Sequence, residues 1–509
     1  MLERYVKKIL GSNVYDVANK TPLQSAAGLS QRFANQIWLK REDLQPVHSF
    51  KLRGSYNKIS QLSDEDKARG VIAASAGNHA QGVALAAQKL GIPAIIVMGR
   101  NAPEIKVKAV RNLGAKVILH GDTYDEAAVY AQELRAKEGY VFVHPFDDVD
   151  VIAGQGSVGV EILNQHGRPL DAIFVPIGGG GLISGIAVYV KYLQPETLVI
   201  GVEADGSASM TAALKANRRV KLPRETLDLF ADGASVAQVG KETFKITKKY
   251  VDEVLTVNTD EICAAVKDIF DDTRAVAEPA GALAVAGMKK YIQRHALQGK
   301  EIVAVVSGSN VNFDRLRHVA ERAEVGEHRE AIVGVAIPEK QGSFRRFCRT
   351  LGKRNITEFN YRQASNGVAH IYAGVQTTSF EDRQKVLATL RKADYDVTDM
   401  TDNETAKLHV RHMVGGRVQG DRQELIYRFV FPERPGALMQ FLTGLGAKWD
   451  ITLFHYRNHG AAWGRVLVGF SAADTANKKG RRELNKFLDR IGYRYWDETD
   501  NPAYDLFLR

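Results

Sequence analysis

Cysteine is nearly missing: the 509 residues contain two, Cys263 and Cys348. They fall in different expected domains and show no ligand spacing, which excludes a disulfide framework and a zinc site and reads both as small buried hydrophobes. Long apolar runs are missing too. No window approaches the roughly 20 apolar residues of a membrane span. The opening "MLERYVKKIL" lacks the apolar stretch and cleavage site of a signal peptide, so no membrane partner is expected and the cytoplasm is the default location. Concentrated charge is the third absence. The net charge is +10, but the densest basic runs, "KANRRVKLPR" (215–224) and "NKKGRRELNK" (477–486), are short and match no helix-turn-helix or RNA-recognition signature. Nucleic acid is therefore not an expected partner, whereas a small molecule carrying carboxylate and phosphate suits this balance.

What is present is the composition of a soluble globular protein, 45% hydrophobic and 25% charged. At roughly one domain per 100 to 200 residues, the length suggests three or four domains. From Gly70 to about Val143, apolar runs such as "GVIAAS", "IPAIIVMG", "AKVILHG" and "YVFVHP" alternate with helical segments stopped at Gly91, Gly114 and Gly139. That alternation describes a parallel sheet with crossover helices. "DAIFVPIGGGGLISGIAVYVKYL", "TLVIGVEAD" and "EIVAVVSGSN" begin a second unit of the same kind. The fold class is α/β: a two-part domain over 1–320, its smaller part at about 52–150, with a cleft expected at the carboxyl ends of the strands.

After a charged connector at 321–330 the character changes to an internal repeat. Pro338, Gly342, Phe347, Leu351 and Gly352 recur 94 positions later as Pro432, Gly436, Phe441, Leu445 and Gly446. After one insertion, Ile356, Phe359, Tyr361 and Arg362 recur as Ile451, Phe454, Tyr456 and Arg457. Two copies of one supersecondary unit, each suited to a small α+β module of the βαββαβ kind, are expected at 331–405 and 425–509.

Four short motifs carry the chemistry. In "HSFKLRG" (48–54), Lys51 lies between Phe50 and Arg53, neighbours read as able to hold a flat ring beside an amine suited to condensing with an aldehyde. In "ASAGNHAQG" (74–82), a strand end meets a helix start, forming either an anion site or an ordinary N-cap turn. In "PIGGGGLISG", Gly178, Gly179, Gly180 and Gly181 remove every side chain between a strand and a helix. Backbone N–H groups can then converge on a phosphate, although a bare glycine loop serves equally as a flexible turn. In "VVSGSN", Ser307 ends a strand facing the same cleft, where a capping role is the plainer alternative.

Taken in order, "SFKLRG", "SAGNHAQG", "GGGGL" and "SGSN" resemble the fold-type II pyridoxal-phosphate enzymes, and among them the biosynthetic threonine ammonia-lyases. The resemblance extends to "HPFDDVDVIAGQGS" (144–157), to "RAVAEPAGALA" (274–284) and to the C-terminal pair, which is similar to that family's ACT-like regulatory modules. It implies pyridoxal 5'-phosphate held covalently by Lys51, with Phe50 against its ring and Asn78 on its ring hydroxyl. Gly178 to Gly181 with Leu182 would form the phosphate cup, and Ser307 would meet the ring nitrogen. Ser75, Ala76, Gly77 and His79 belong to the loop that would receive the substrate carboxylate. The implied reaction is β-elimination of L-threonine to 2-oxobutanoate and ammonia, with L-serine also accepted. A neutral Lys51 amine would be the base and the cofactor phosphate would assist loss of the hydroxyl.

Ala76 stands where serine racemases carry a serine acid, so little racemisation is expected. Isoleucine is the implied inhibitor and valine its antagonist, acting near Gly342, Tyr361, Gly436 and Tyr456, where core filling by the two tyrosines is an equal alternative. A homotetramer is implied. No metal cluster is expected, and the Asp205, Ser207 and Ser209 pattern near Glu203 departs from the racemase cation site. Serine dehydratase, threonine synthase, cysteine synthase and a non-catalytic amino-acid sensor are the other readings. An intact Lys51 argues against the sensor.

Overall fold

The computed structural model describes the chain except residues 224–225, 339–345, 348–349, 353, 355, 363–367, 413–423, 433–450, 458–462, 472–477 and 509. It divides into two compact units, Met1–Val319 and Ala320–Arg509.

The described residues of the first unit hold ten strands: β1 (Leu23–Ser25), β2 (Gln36–Arg41), β3 (Val71–Ala74), β4 (Ala94–Met98), β5 (Lys116–Leu119), β6 (Val141–Phe142), β7 (Ala172–Pro176), β8 (Leu198–Ala204), β9 (Glu253–Val257) and β10 (Glu301–Val306). A smaller, wholly parallel sheet runs β5-β4-β3-β6. The larger sheet runs β1-β2-β10-β7-β8-β9, parallel except where β1 meets β2. Strands β3, β4, β7 and most of β8 and β10 are buried on both faces, which is why they read as unbroken apolar runs rather than alternating ones. The helices of the smaller part end as expected: Gly91 and Gly139 take left-handed conformations just past them (φ +66° and +77°), where a side chain would be strained.

The strands β1, β2 and β9 have no counterpart in the motifs read above. The chain begins in the larger sheet, leaves it after β2 to build the smaller one, and returns at β7. Lys51 sits at the first of these crossings.

In the second unit the described strands of the two copies correspond in order and register. Strands β11 (Glu330–Pro338), β12 (Ile356–Arg362), β13 (Val368–Gln376) and β14 (Asp396–Asp399) form an antiparallel sheet in the order β12-β13-β11-β14. Strands β15 (Glu424–Pro432), β16 (Ile451–Arg457), β17 (Trp463–Ser471) and β18 (Arg494–Asp497) form another in the order β16-β17-β15-β18. Glu330 pairs with Gln376 and Pro338 with Val368; their counterparts Glu424 and Pro432 pair with Ser471 and Trp463. Even the irregularity recurs, a register shift at Ile356/Glu358 and again at Ile451/Leu453. Helices Phe380–Lys392 and Lys478–Ile491 occupy the same place in the two copies, and each sheet has its own buried cluster, around Val333 and Leu390 in one and Phe429 and Leu488 in the other.

Candidate active site

The four motif loops all follow the carboxyl ends of parallel strands: 42–50 after β2, 75–77 after β3, 178–180 after β7 and 307–310 after β10. They meet at a cleft with free space of about 490 Å3, lined by Phe50, Lys51, Asn78, Gly178 to Leu182, Glu278 and Ser307 among others.

Lys51 opens helix Lys51–Ser60 directly after Phe50, whose ring centroid lies 5.1 Å from the amine. The preceding segment is stitched to the Ser307 loop: Phe50 N–H donates to the Ser307 carbonyl (3.3 Å) and Ser309 N–H to the His48 carbonyl (3.0 Å). The amine donates to the Pro145 carbonyl at 3.3 Å. Burial lowers its pKa from 10.5 to about 8, against the opposing pull of Glu278. An amine so placed is ready to give up its proton near neutrality.

Arg53 does not share this cleft. Two residues along a helix is more than half a turn, so its side chain leaves on the opposite side from Lys51. There it is fully buried and donates to Glu42 (2.7 and 2.8 Å), Glu161 (2.7 Å) and Ser157 (3.0 Å). Lys40, also fully buried, donates to Glu161 at 2.6 Å. The expectation that Phe50 and Arg53 together would hold a flat ring is corrected on the Arg53 side by this helical geometry.

In the glycine loop, Gly180 has φ +92° and precedes helix Gly181–Leu193. A Cβ on Gly179 would fall 2.1 Å from the Phe146 ring, so that ring can lie against bare backbone only if residue 179 is glycine. The Gly179 carbonyl is taken by the Thr243 hydroxyl at 2.7 Å, and Gly181 and Leu182, at the helix N-terminus, line the cleft.

In the 75–79 loop, Gly77 N–H donates to the Ser75 hydroxyl at 3.2 Å, and Asn78 starts helix Asn78–Leu90. Asn78 lines the cleft, while the side chains of Ser75, Ala76 and His79 do not count among its lining. The His79 ring is buried behind the loop, its Nε2 bonded to the Val143 carbonyl at 2.8 Å. Burial and the Lys51 charge push its pKa down to about 3, so it is neutral and Nε2–H is the donor.

Sequence reasoning assigned no role to several lining residues. Glu278 immediately precedes helix Pro279–His295 without capping it, is 5% exposed, and accepts from Asn78 Nδ2 at 2.6 Å. Burial, then the Asp232 charge, raises its carboxyl from 4.5 to about 7. Phe146 and Gln155, both inside the quoted "HPFDDVDVIAGQGS", also line the cleft. The signal was present in these motifs. What was missing was the partner, 200 positions away for the Asn78–Glu278 pair.

Glu203 is spent on structure: it accepts from the backbone N–H groups of Met210 (2.7 Å) and Thr211 (2.8 Å) and from the Thr211 hydroxyl (2.6 Å). Among the described residues no group of three or more His, Cys, Asp or Glu side chains could hold a metal. No described helix is long and apolar enough to cross a membrane. In the second unit, Tyr361 and Tyr456 occupy equivalent positions in β12 and β16, opposite Ile371 and Val466. Gly342 and Gly436 lie outside the described residues, as does Cys348.

Comparison with known proteins agrees with this arrangement. The profile of pyridoxal-phosphate dependent enzymes matches residues 14–308, and that of the C-terminal regulatory domain of threonine dehydratase matches twice, over 321–410 and 415–508. A biosynthetic L-threonine dehydratase of Pasteurella multocida is 52% identical over 505 residues, covering 99% of this chain and 97% of that relative. The corresponding protein of Escherichia coli is 51% identical with the same coverage. Among solved structures, the processed form of threonine deaminase isoform 2 from Solanum lycopersicum superposes with a TM-score of 0.62 at 48% identity, covering 63% of this chain and 93% of that one. The chain belongs to the biosynthetic threonine dehydratase family of pyridoxal-phosphate-dependent enzymes, with a C-terminal regulatory region in two copies.

Proposed function

We propose that this chain converts L-threonine to 2-oxobutanoate and ammonia in the cleft at Lys51, as the committed step toward isoleucine, and that its second unit tunes the rate in response to branched-chain amino acids. One observation carries the reading: a buried amine, a side-chain-free helix N-terminus, a carboxamide and a strand-end serine converge on one cleft.

The residues present fit pyridoxal phosphate. Gly178 to Gly181 and Leu182 would hold the phosphate, because Gly180 turns the loop so that the helix N-terminus faces the cleft. Phe50 would lie against the ring, Asn78 would meet the ring hydroxyl and Ser307 the ring nitrogen. When bound, the cofactor supplies an electron sink that acidifies the substrate's Cα–H and allows the β-hydroxyl to leave.

The chain's own groups then have definite tasks. Lys51 Nζ, held near pKa 8 by burial, takes the Cα proton as general base. The backbone N–H groups of the 75–79 loop receive the substrate carboxylate at a helix N-terminus. Ser307, a neutral hydroxyl, cannot impose a proton on the ring nitrogen as a carboxylate would, which favours prompt elimination over transamination. Ala76 offers no acid to the opposite face of Cα, so racemisation stays slow. L-Serine, lacking only the β-methyl, is a second substrate.

In the second unit, isoleucine would inhibit and valine relieve the inhibition, acting near Tyr361 and Tyr456 on the matching strands β12 and β16 and near Gly342 and Gly436 in the sequence. A homotetramer in the cytoplasm is the expected form. The test is a 2-oxobutanoate assay on the full chain and on a truncate without the second unit, each with isoleucine and then valine. Both should make the oxo acid, and only the full chain should respond to effectors. A truncate still inhibited by isoleucine would overturn the assignment of regulation to the second unit.

A further inference from the structure

Asn78 is held at both ends of its carboxamide. Its Nδ2 donates to Glu278 Oε1 at 2.6 Å, and its Oδ1 accepts from Asn310 Nδ2 at 2.8 Å. Asn310 Nδ2 also donates to the Val47 carbonyl at 2.8 Å. A backbone carbonyl can only accept, so the Asn310 atom facing Val47 must be nitrogen. Both hydrogens of that nitrogen are then spent, one on Val47 and one on Asn78, which fixes the Asn78 atom facing Asn310 as oxygen. Its other atom is therefore nitrogen, with one hydrogen given to Glu278 and one unspent. The orientation of Asn78 thus follows from a carbonyl four residues before Lys51 and does not depend on the cofactor.

The other half of the clamp is shaped by glycine. Glu278 N–H donates to the Gly308 carbonyl at 3.1 Å, and a Cβ on Gly308 would lie 2.5 Å from Glu278 Oε1. The glycine of "SGSN" makes room for the Glu278 head, and the asparagine of the same motif sets the Asn78 flip. Around Glu278 the other charged groups are Asp232, which raises its pKa, and Lys106 and Arg315, which lower it; both cations pair with Asp232 (2.8 and 3.2 Å). Lys51 is the remaining titratable neighbour.

We propose that Asn310 and Glu278 are positioning residues that lock the Asn78 carboxamide so that its unspent N–H, never its carbonyl, faces the cofactor's ring hydroxyl. The inference rests on the assignment of Asn78 to that hydroxyl. An N–H donor favours the ionised form of the hydroxyl, whereas a carbonyl would favour the protonated form. The lock therefore acts on cofactor protonation as well as on affinity.

The experiment compares the intact chain with Asn78→Ala, Asn310→Asp, Glu278→Ala and Glu278→Gln. Pyridoxal-phosphate affinity is measured by equilibrium dialysis, and the visible spectrum of the loaded protein is recorded from acid to alkaline pH. Asn310→Asp turns an acceptor toward Asn78 and should swing its amide nitrogen away from the cleft. It and Glu278→Ala are expected to weaken cofactor binding about tenfold, the size of one lost hydrogen bond, and to move ionisation of the bound hydroxyl to higher pH. Glu278→Gln keeps an acceptor oxygen and should retain the parent spectrum. If Asn78→Ala changes the spectrum but Asn310→Asp and Glu278→Ala leave it at the parent position at every pH, the lock is refuted. If Asn78→Ala itself changes neither affinity nor spectrum, the underlying assignment of Asn78 falls, and the lock falls with it.

Discussion

Helix Lys51–Ser60 separates two buried polar regions that solve the same problem in opposite ways. On the Arg53 side, Lys40, Glu42, Arg53 and Glu161 are all nearly inaccessible and bonded to one another. Burial alone would push the Glu42 carboxyl up, but the Arg53 charge and its hydrogen bonds outweigh this and leave it below its ordinary value. On the cleft side, no ion pair among the described residues holds Lys51 or Glu278, and burial outweighs the weaker pull of nearby opposite charges and moves both toward neutrality, the amine down to about 8 and the acid up to about 7. Matched charge makes a rigid support; unmatched charge makes groups that exchange protons near neutral pH. Two residues of one helix belong to different regions because they leave it on opposite sides.

The largest expected effect removes the reactive side of this contrast. Lys51→Ala should lower 2-oxobutanoate formation by about a thousandfold or more, without loss of folded protein by circular dichroism. Next is the support. Arg53→Met leaves Glu42 and Glu161 buried without their shared partner and should destabilise the first unit by about 3 to 5 kcal/mol in urea unfolding. A third test uses pH. Glu278 binds its proton more tightly folded than unfolded, so it adds stability below its ordinary value of 4.5 that is lost as pH rises through about 7. Glu42 has the reverse sign, adding stability above 4.5 that is lost on acidification. Glu278→Gln should therefore flatten the fall in stability of the cofactor-free protein between pH 4.5 and 7, an effect of at most about 3 kcal/mol. The smallest effect is expected from Asp232→Asn, which removes a like charge near Glu278 and should draw the upper edge of that window below pH 7.

The sequence made legible what is local or repeated. The glycine loop announces itself because four adjacent residues lack side chains. The repeat does so because its two copies stay in register apart from a single one-residue insertion in the second, and the structure adds a strand irregularity that recurs in both. Strands buried on both faces were readable as apolar runs. Short β1 and the partly buried β9 were not, since three to five residues at a sheet edge carry little pattern. The Asn78 clamp was beyond reach for a different reason: its three members are separated by 200 and 232 positions, and no spacing rule links them. The role of Arg53 could have been foreseen, because residues two apart on a helix never share a face.

The most direct measurement is the visible spectrum of the purified, pyridoxal-phosphate-loaded protein as L-threonine is added, with 2-oxobutanoate assayed in the same cuvette and isoleucine added last. A yellow protein that forms the oxo acid and slows on adding isoleucine is the expected result. A yellow protein that forms none would contradict the proposed elimination at Lys51, and one that takes up no cofactor would contradict the site itself.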